Sequence, residues 1–249
     1  MGTVEYKFIF QTLAPMRFQI QLDRPPTTSE QLGEPHADWT RLGIHQCSVC
    51  PLKSAHSPFC PAALDLEQVV EQFKSISSYE AVRVEVVTPQ RTYVRQCDVQ
   101  TGLRSLVGLV MSTSQCPWFR QLRALAQTHL PFSNLEETLF RVVGAYLAQQ
   151  YFVAKQGGTP DFELRQLEEL YRGLSKANEA FKRRLEFASI QDANVNAVCA
   201  LSIMSHGVSF FLSEQLQQLQ SQLAPFPMGL PEPSRREADP PALPVSSAA

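Results

Sequence analysis

The stretch HQCSVCPLKSAHSPFCP, residues 45–61, carries three of the six cysteines of the chain. Cys47 and Cys50 form a C-x-x-C pair, Cys60 follows after nine more residues, and Cys116 lies far downstream in MSTSQCPWFR. A C-x-x-C pair brings two sulfurs to one ion from a tight turn, and Zn²⁺ takes four ligands in a tetrahedron. The pattern therefore predicts one metal centre, with zinc as the first choice, that ties an N-terminal sheet to a C-terminal helical array.

Proline directly follows three of these cysteines, at Pro51, Pro61 and Pro117. Proline suits the first position of a helix, where its missing N–H would have had no partner, and helix-like sequence follows the second and third prolines. We therefore expect Cys60 and Cys116 at helix N-caps, where free amides and the helix dipole favour a thiolate. The same geometry serves iron–sulfur ligation, so an iron–sulfur cluster is the alternative cofactor.

Other chemistries are open to the same residue types. A redox dithiol or inert buried thiols would also account for the cysteines. His45 or His56 could replace one cysteine ligand, because imidazole suits zinc, and Cys97 is a reserve ligand within a predicted strand. Cys116 with His129 could form a nucleophile and base. No G-x-S-x-G or H-E-x-x-H motif occurs, so no hydrolase or zinc-protease motif supports an enzyme.

Composition limits the classes of function. The 22 Lys and Arg against 24 Asp and Glu give a net charge of −2, which argues against a dedicated nucleic-acid binder. The eleven glycines form no G-x-G-x-x-G and no Walker loop, so a Rossmann or P-loop nucleotide site is not expected. The N-terminal residues do not resemble a signal peptide, and the apolar run 196–212 is too interrupted to span a membrane. We expect a cytoplasmic protein with reduced cysteines and no membrane partner.

The first hundred residues predict a small α+β unit. Alternating hydrophobicity indicates strands in two hairpins, and a helical pattern of apolar residues separates the hairpins. The predicted strands are 4–11, 16–23, 81–88 and 91–98, and the predicted helix is 62–75. The fold class is therefore α+β: an antiparallel four-stranded sheet with a helix in residues 1–100, followed by a helical array in residues 101–223 that packs on it.

The second segment reads as successive helices. The patterns predict helices over 102–111, 118–128 and 135–155, the last with a capping box formed by Ser133 and Glu136. A long amphipathic helix follows, and its apolar stripe from Leu164 to Ala188 is interrupted by Asn178, which marks register or binds a ligand.

Three further features complete the helical segment. Asp192 is the predicted cap of a last helix. The basic run Lys182–Arg184 is interpreted as a solvated helix face. Residues 224–249, with seven of the eighteen prolines, are predicted to be a disordered tail.

Three stretches resemble a family of uncharacterised bacterial proteins of similar length. They are QCSVCPLKSAHSPFCPAAL (46–64), GLRSLVGLVMSTSQCPWFRQLR (102–123) and HLPFSNLEETLFRVVGAYLAQQYF (129–152). The resemblance implies a bacterial origin and supports grouping the four cysteines, but it implies no activity. The sequence thus favours a binding or regulatory module with a structural zinc site, whose partner is a protein or a small molecule. The alternative is a redox protein with an iron–sulfur cluster or a reactive cysteine pair.

Overall fold

The computed structural model describes residues 2–28 and 32–223, which form four β-strands and six α-helices. Short 3-10 turns at Asp38–Thr40 and Phe119–Leu122 precede α1 and α3, respectively. The elements are β1 (Thr3–Phe10), β2 (Met16–Gln21), α1 (Pro61–Phe73), β3 (Ala81–Val87), β4 (Thr92–Asp98), α2 (Val99–Thr113), α3 (Arg123–Gln127), α4 (Leu135–Lys155), α5 (Arg165–Ala188) and α6 (Ala193–Leu223).

The four strands form one antiparallel sheet in the order β2-β1-β3-β4. Alternate residues of β1 are buried, because successive side chains of a strand point to opposite faces. Tyr6 pairs with Phe18 of β2 and Val86 of β3, and Phe8 packs edge-on against Phe73 of α1 with ring centroids 5.0 Å apart. The predicted α+β class, with its four-stranded antiparallel sheet followed by helices, is confirmed.

Helix α2 lies directly on this sheet. A Cβ at Gly102 would come within 2.7 Å of Val84 and 2.8 Å of Phe8, so only glycine permits this close approach. Buried side chains from both predicted segments belong to one core cluster. A shared hydrophobic core therefore joins the sheet to the helical array, independently of any metal centre.

Helices α5 and α6 pack along each other, and α6 also packs on α2. Asn178 donates a hydrogen bond to the Ser205 hydroxyl across the α5–α6 contact, at 2.9 Å. Asp192 directly precedes α6, as predicted, and its carboxylate accepts from the amide and the hydroxyl of Ser78, each at 2.8 Å. The start of α6 is thereby linked to the segment between α1 and β3.

Some helix boundaries differ from the predictions. The capping box of α4 pairs Asn134 with Glu137, each side chain bonding the other's amide at 2.8 and 2.9 Å, so the prediction for Ser133 and Glu136 was wrong by one residue. Helix α2 begins at Val99, before the predicted start, because Asp98 accepts from the Thr101 amide at 2.9 Å. The predicted helix 118–128 is a 3-10 turn followed by the short α3.

Within the described ranges, no helix is both long enough and apolar enough to cross a membrane. The predicted tail, residues 224–249, lies outside the described residues.

Candidate metal centre

The four predicted ligands line one small pocket, with a volume of about 20 Å³. Cys47 and Cys50 come from the loop before α1, Cys60 from its N-terminus, and Cys116 from the segment after α2. Cys116 is buried and the other three are half-buried. All six cysteines of the chain are free thiols, so none of the four is held in a disulfide.

A tight turn presents the C-x-x-C pair. The amide of Cys50 donates to the carbonyl of Cys47 at 3.0 Å, which closes the turn and places both side chains on one side of it. Both side chains line the same pocket. The local backbone thus brings the pair together, as the spacing predicts.

Cys60 occupies the predicted N-cap of α1. Its backbone is extended, with φ −77° and ψ 119°, and Pro61 fills the first helical position. The amides of Ala62 and Ala63 favour the thiolate form of its side chain, although the side chain accepts no capping hydrogen bond. Its own amide donates to the carbonyl of Thr40 at 2.8 Å, which fixes the cysteine-rich loop at its two ends.

Cys116 does not cap an α-helix, contrary to the expectation. It begins a turn that leads into the 3-10 segment Phe119–Leu122, and its carbonyl accepts from the Arg120 amide at 3.0 Å. The amides of Trp118 and Phe119 nevertheless favour its thiolate form. The expected effect of the amides on the thiol is therefore present, because a helical turn orients its first N–H groups in the same way as an α-helix.

Burial controls the protonation of these thiols. Desolvation, followed by the neighbouring cysteines, raises the pKa of Cys47 to about 12. Burial likewise raises the pKa of Cys116 to about 11 and the pKa of Cys60 above its usual value. Without a cation, Cys47, Cys60 and Cys116 are therefore protonated at neutral pH, whereas a bound metal would displace the protons and stabilise the thiolates.

Arg184 of α5 lies against the cysteine pocket with only 2% of its surface exposed. Its guanidinium donates to the carbonyls of Trp39, Arg41 and Leu42, the last two at 2.6 and 3.2 Å. Its charge also favours the thiolate form of Cys60. Arg184 thus anchors the start of the cysteine-rich loop to α5 and brings a positive charge to the pocket.

The interpretation of the basic run as a solvated face is therefore wrong for Arg184. It holds for Lys182 and Arg183, which are exposed enough to pair with Glu186 and Glu179 along the helix. The helical period could have indicated that Arg184 is buried. Arg184 follows the stripe residue Phe181 by three positions, which places it beside the buried face.

Trp118 provides a second anchor that the sequence analysis did not identify. Its indole N–H donates to the carbonyl of Val49, inside the C-x-x-C turn, at 2.7 Å. The ring packs against α5 at Gly173, where a Cβ would stand 2.0 Å from a ring carbon. The glycine is needed for this contact, and no local pattern in the sequence indicates it.

The alternative ligands are placed differently. His45 lines the cysteine pocket and has a positive φ of 45°, whereas His56 is exposed on the loop and does not line it. Cys97 lies in β4 opposite Val82, and Cys199 lies in α6; neither lines the pocket. The pocket therefore contains the four predicted cysteines, with His45 as the nearest replacement.

Among the described residues, no three His, Cys, Asp or Glu side chains stand close enough, as placed, to hold one metal ion. Zinc bonds to sulfur at about 2.3 Å, so all four sulfurs must lie at that distance from one point, in a tetrahedral arrangement. Binding would require the cysteine side chains to close around the ion.

The proposed nucleophile and base are not brought together. His129 hydrogen-bonds with the Tyr6 hydroxyl at 2.6 Å and lines a different cavity, while Cys116 faces the other cysteines. This geometry gives no support to cysteine catalysis with His129 as its base.

Comparison with known proteins gives one match. Neither a curated protein nor a solved structure matches the chain. A family model matches residues 4–224, a range that includes all three stretches on which the resemblance to an uncharacterised family rests. The chain belongs to the family described as Domain of unknown function (DUF6901).

Proposed function

We propose that Cys47, Cys50, Cys60 and Cys116 bind one zinc ion in a structural site, and that the protein is a binding or regulatory module built around it. The observation that carries the proposal is the convergence of four cysteines, from three separate segments, on a single small pocket. A random distribution of six cysteines over this fold gives no reason for four of them to meet.

The environment of the cysteines suits a zinc–thiolate centre. Four thiolates around Zn²⁺ leave two excess negative charges, and a buried negative charge needs hydrogen bonds or a positive partner. Backbone amides that follow Cys60 and Cys116 favour their thiolate forms, and Arg184 in the pocket wall supplies a positive charge. Four protein ligands leave no open position for water, which is typical of structural sites rather than catalytic ones.

Two observations favour zinc over the redox alternative. A volume of about 20 Å³ suits one ion, whereas a [4Fe–4S] cluster brings eight atoms into the site. The raised pKa of Cys47, to about 12, makes this sulfur of the metal-free C-x-x-C pair a poor source of the thiolate that dithiol exchange requires.

Elemental analysis of protein purified without oxygen tests the proposal. We expect one zinc per chain and no visible absorbance. Iron with acid-labile sulfide and a brown colour would show that the site holds an iron–sulfur cluster instead of zinc. A protein that binds neither metal, even after reconstitution under reducing conditions, would contradict both.

Serine substitution identifies the ligands. Replacing any of the four pocket cysteines should lower bound zinc and reduce stability, because metal-binding energy is in part folding energy. Cys97→Ser and Cys199→Ser are matched controls outside the pocket, and they should retain full zinc. Full occupancy in Cys116→Ser would contradict the four-cysteine set and would point to His45 as the fourth ligand.

A further inference from the structure

A second and larger cavity, of about 140 Å³, lies between α2, α4, α5 and α6. Much of its wall is apolar and includes Leu109, Leu201 and Met204. An engineered protein cavity of about 150 Å³ accepts benzene, so this space suits an organic molecule of similar or slightly larger size. Its polar atoms indicate the kind of molecule.

The first polar feature is a pair of arginines, Arg104 and Arg141, in the wall of the cavity. No Asp or Glu of the described chain lines it, and neither arginine forms an ion pair with another described residue. Arg141 donates from Nη2 to the carbonyls of Leu125 and Thr128, at 2.8 and 2.7 Å, which holds the guanidinium in place. Its Nε is buried and has no hydrogen-bond partner within the described part of the protein.

The second polar feature is Asn178, which is only 4% exposed. Its amide nitrogen is used in the hydrogen bond to Ser205, and its Oδ1 is buried with no partner among the residues described. An unpaired buried acceptor costs about 1–3 kcal/mol, so such atoms call for a specific explanation. Arg141 and Asn178 line the same cavity. Arg141 Nε lacks a hydrogen-bond acceptor, and Asn178 Oδ1 lacks a donor.

Two other polar side chains of the wall, Ser105 and His129, are already paired. The Tyr6 hydroxyl bonds to Ser105 at 2.7 Å and to His129 at 2.6 Å, and the Phe132 amide donates to Ser105 at 3.1 Å. Burial lowers the pKa of His129 to about 3, so its ring is neutral. The positive charge of the cavity therefore comes from the two arginines.

We propose that this cavity binds a small carboxylic acid with an apolar body and a hydroxyl or amine donor. The carboxylate accepts a hydrogen bond from Arg141 Nε within the positive field of both arginines, and the donor group bonds to Asn178 Oδ1. The apolar body replaces water against the leucine and methionine side chains. This site is separate from the cysteine pocket and does not depend on the proposed zinc.

The three isomeric hydroxybenzoates are suitable probes, because they carry both groups at different separations on one ring. Isothermal titration and thermal shift should detect binding of at least one isomer to the full-length protein. Benzoate lacks the donor and phenol lacks the carboxylate. Each should bind on the order of tenfold or more weakly than the best isomer. If no isomer binds at millimolar concentration, or if phenol binds as well as the best isomer, the proposal is wrong.

Two variants test the residue assignments. Arg141→Gln should weaken the best hydroxybenzoate about tenfold or more and leave phenol unchanged. Asn178→Leu should remove the advantage of that hydroxybenzoate over benzoate. Arg172→Gln, at an exposed position of α5 outside the cavity, is the control and should bind like the wild type. If a folded Asn178→Leu protein keeps the wild-type preference for the hydroxybenzoate over benzoate, the assignment of Asn178 is wrong. If Arg141→Gln does not fold, the comparison of probes on the wild-type protein decides the proposal.

Discussion

Replacing Arg184 by methionine removes a buried guanidinium while keeping most of the aliphatic volume of the side chain. Arg184 hydrogen-bonds to three carbonyls in residues 39–42, directly before the cysteine-rich loop. At about 1 kcal/mol for each lost bond, and more where a carbonyl stays buried and unpaired, the loss is about 3–5 kcal/mol. A loss of about 3 kcal/mol lowers Tm by about 6–12 °C in a protein of this length.

Arg183→Met is a matched control on the same helix. Arg183 is exposed and pairs with Glu179 at 3.8 Å, so its loss should change stability by less than about 0.5 kcal/mol. Urea denaturation of both variants, with Tm from circular dichroism, gives the comparison. If Arg184→Met costs no more than Arg183→Met, the anchoring role of Arg184 is refuted.

The same pair of variants also tests the proposed zinc centre. A zinc–thiolate site is negative and protonated thiols are neutral, so the Arg184 charge matters more when metal is bound. The destabilisation by Arg184→Met should therefore be larger in zinc-loaded protein than after chelation under reducing conditions, with Arg183→Met showing no such difference. An equal cost in both states would mean that Arg184 acts on the loop backbone alone.

Three other predictions address separate features. Gly173→Ala should cost about 1–3 kcal/mol, because the added Cβ would stand 2.0 Å from Trp118, whereas Gly43→Ala meets no atom within 4 Å and should be nearly neutral; equal effects would contradict the close contact. His129 has a pKa of about 3 in the folded protein and about 6.5 when unfolded, so the unfolded state binds more protons between these values and stability should fall as pH drops from 6.5 to 3. His129→Gln should show a shallower fall, measured by urea denaturation across pH, and an unchanged slope would argue against the neutral buried ring. Chelation should make residues 41–60 susceptible to limited proteolysis before the helical core. If metal-free protein gives the same cleavage pattern as untreated protein, the order of the loop does not depend on the metal.

Periodic patterns predicted much of the fold, because strands and helices repeat over short distances along the chain. The alternation in 4–11 and 16–23 identified β1 and β2, and the predicted helix 135–155 has the bounds of α4. Errors occurred at the ends of helices, where one hydrogen bond decides the boundary. Asn134 rather than Ser133 caps α4. The sequence could not distinguish them, because Asn and Ser are both good caps and stand side by side.

For the candidate site, the sequence by itself was sufficient to group the four cysteines. Their spacing and the prolines that follow them are local signals, which predict turns and nearby amides. Tertiary structure alone decided what surrounds them. Arg184 reaches carbonyls 142 to 145 positions away in the chain, and Trp118 bonds to a carbonyl 69 positions away. Contacts over such separations depend on how α5 packs against the loop. Because hydrophobic packing is non-directional, the sequence does not indicate which distant residues it brings together. The two unpaired polar atoms of the second cavity were hidden for the same reason: only the assembled helices determine which donors and acceptors remain without a partner.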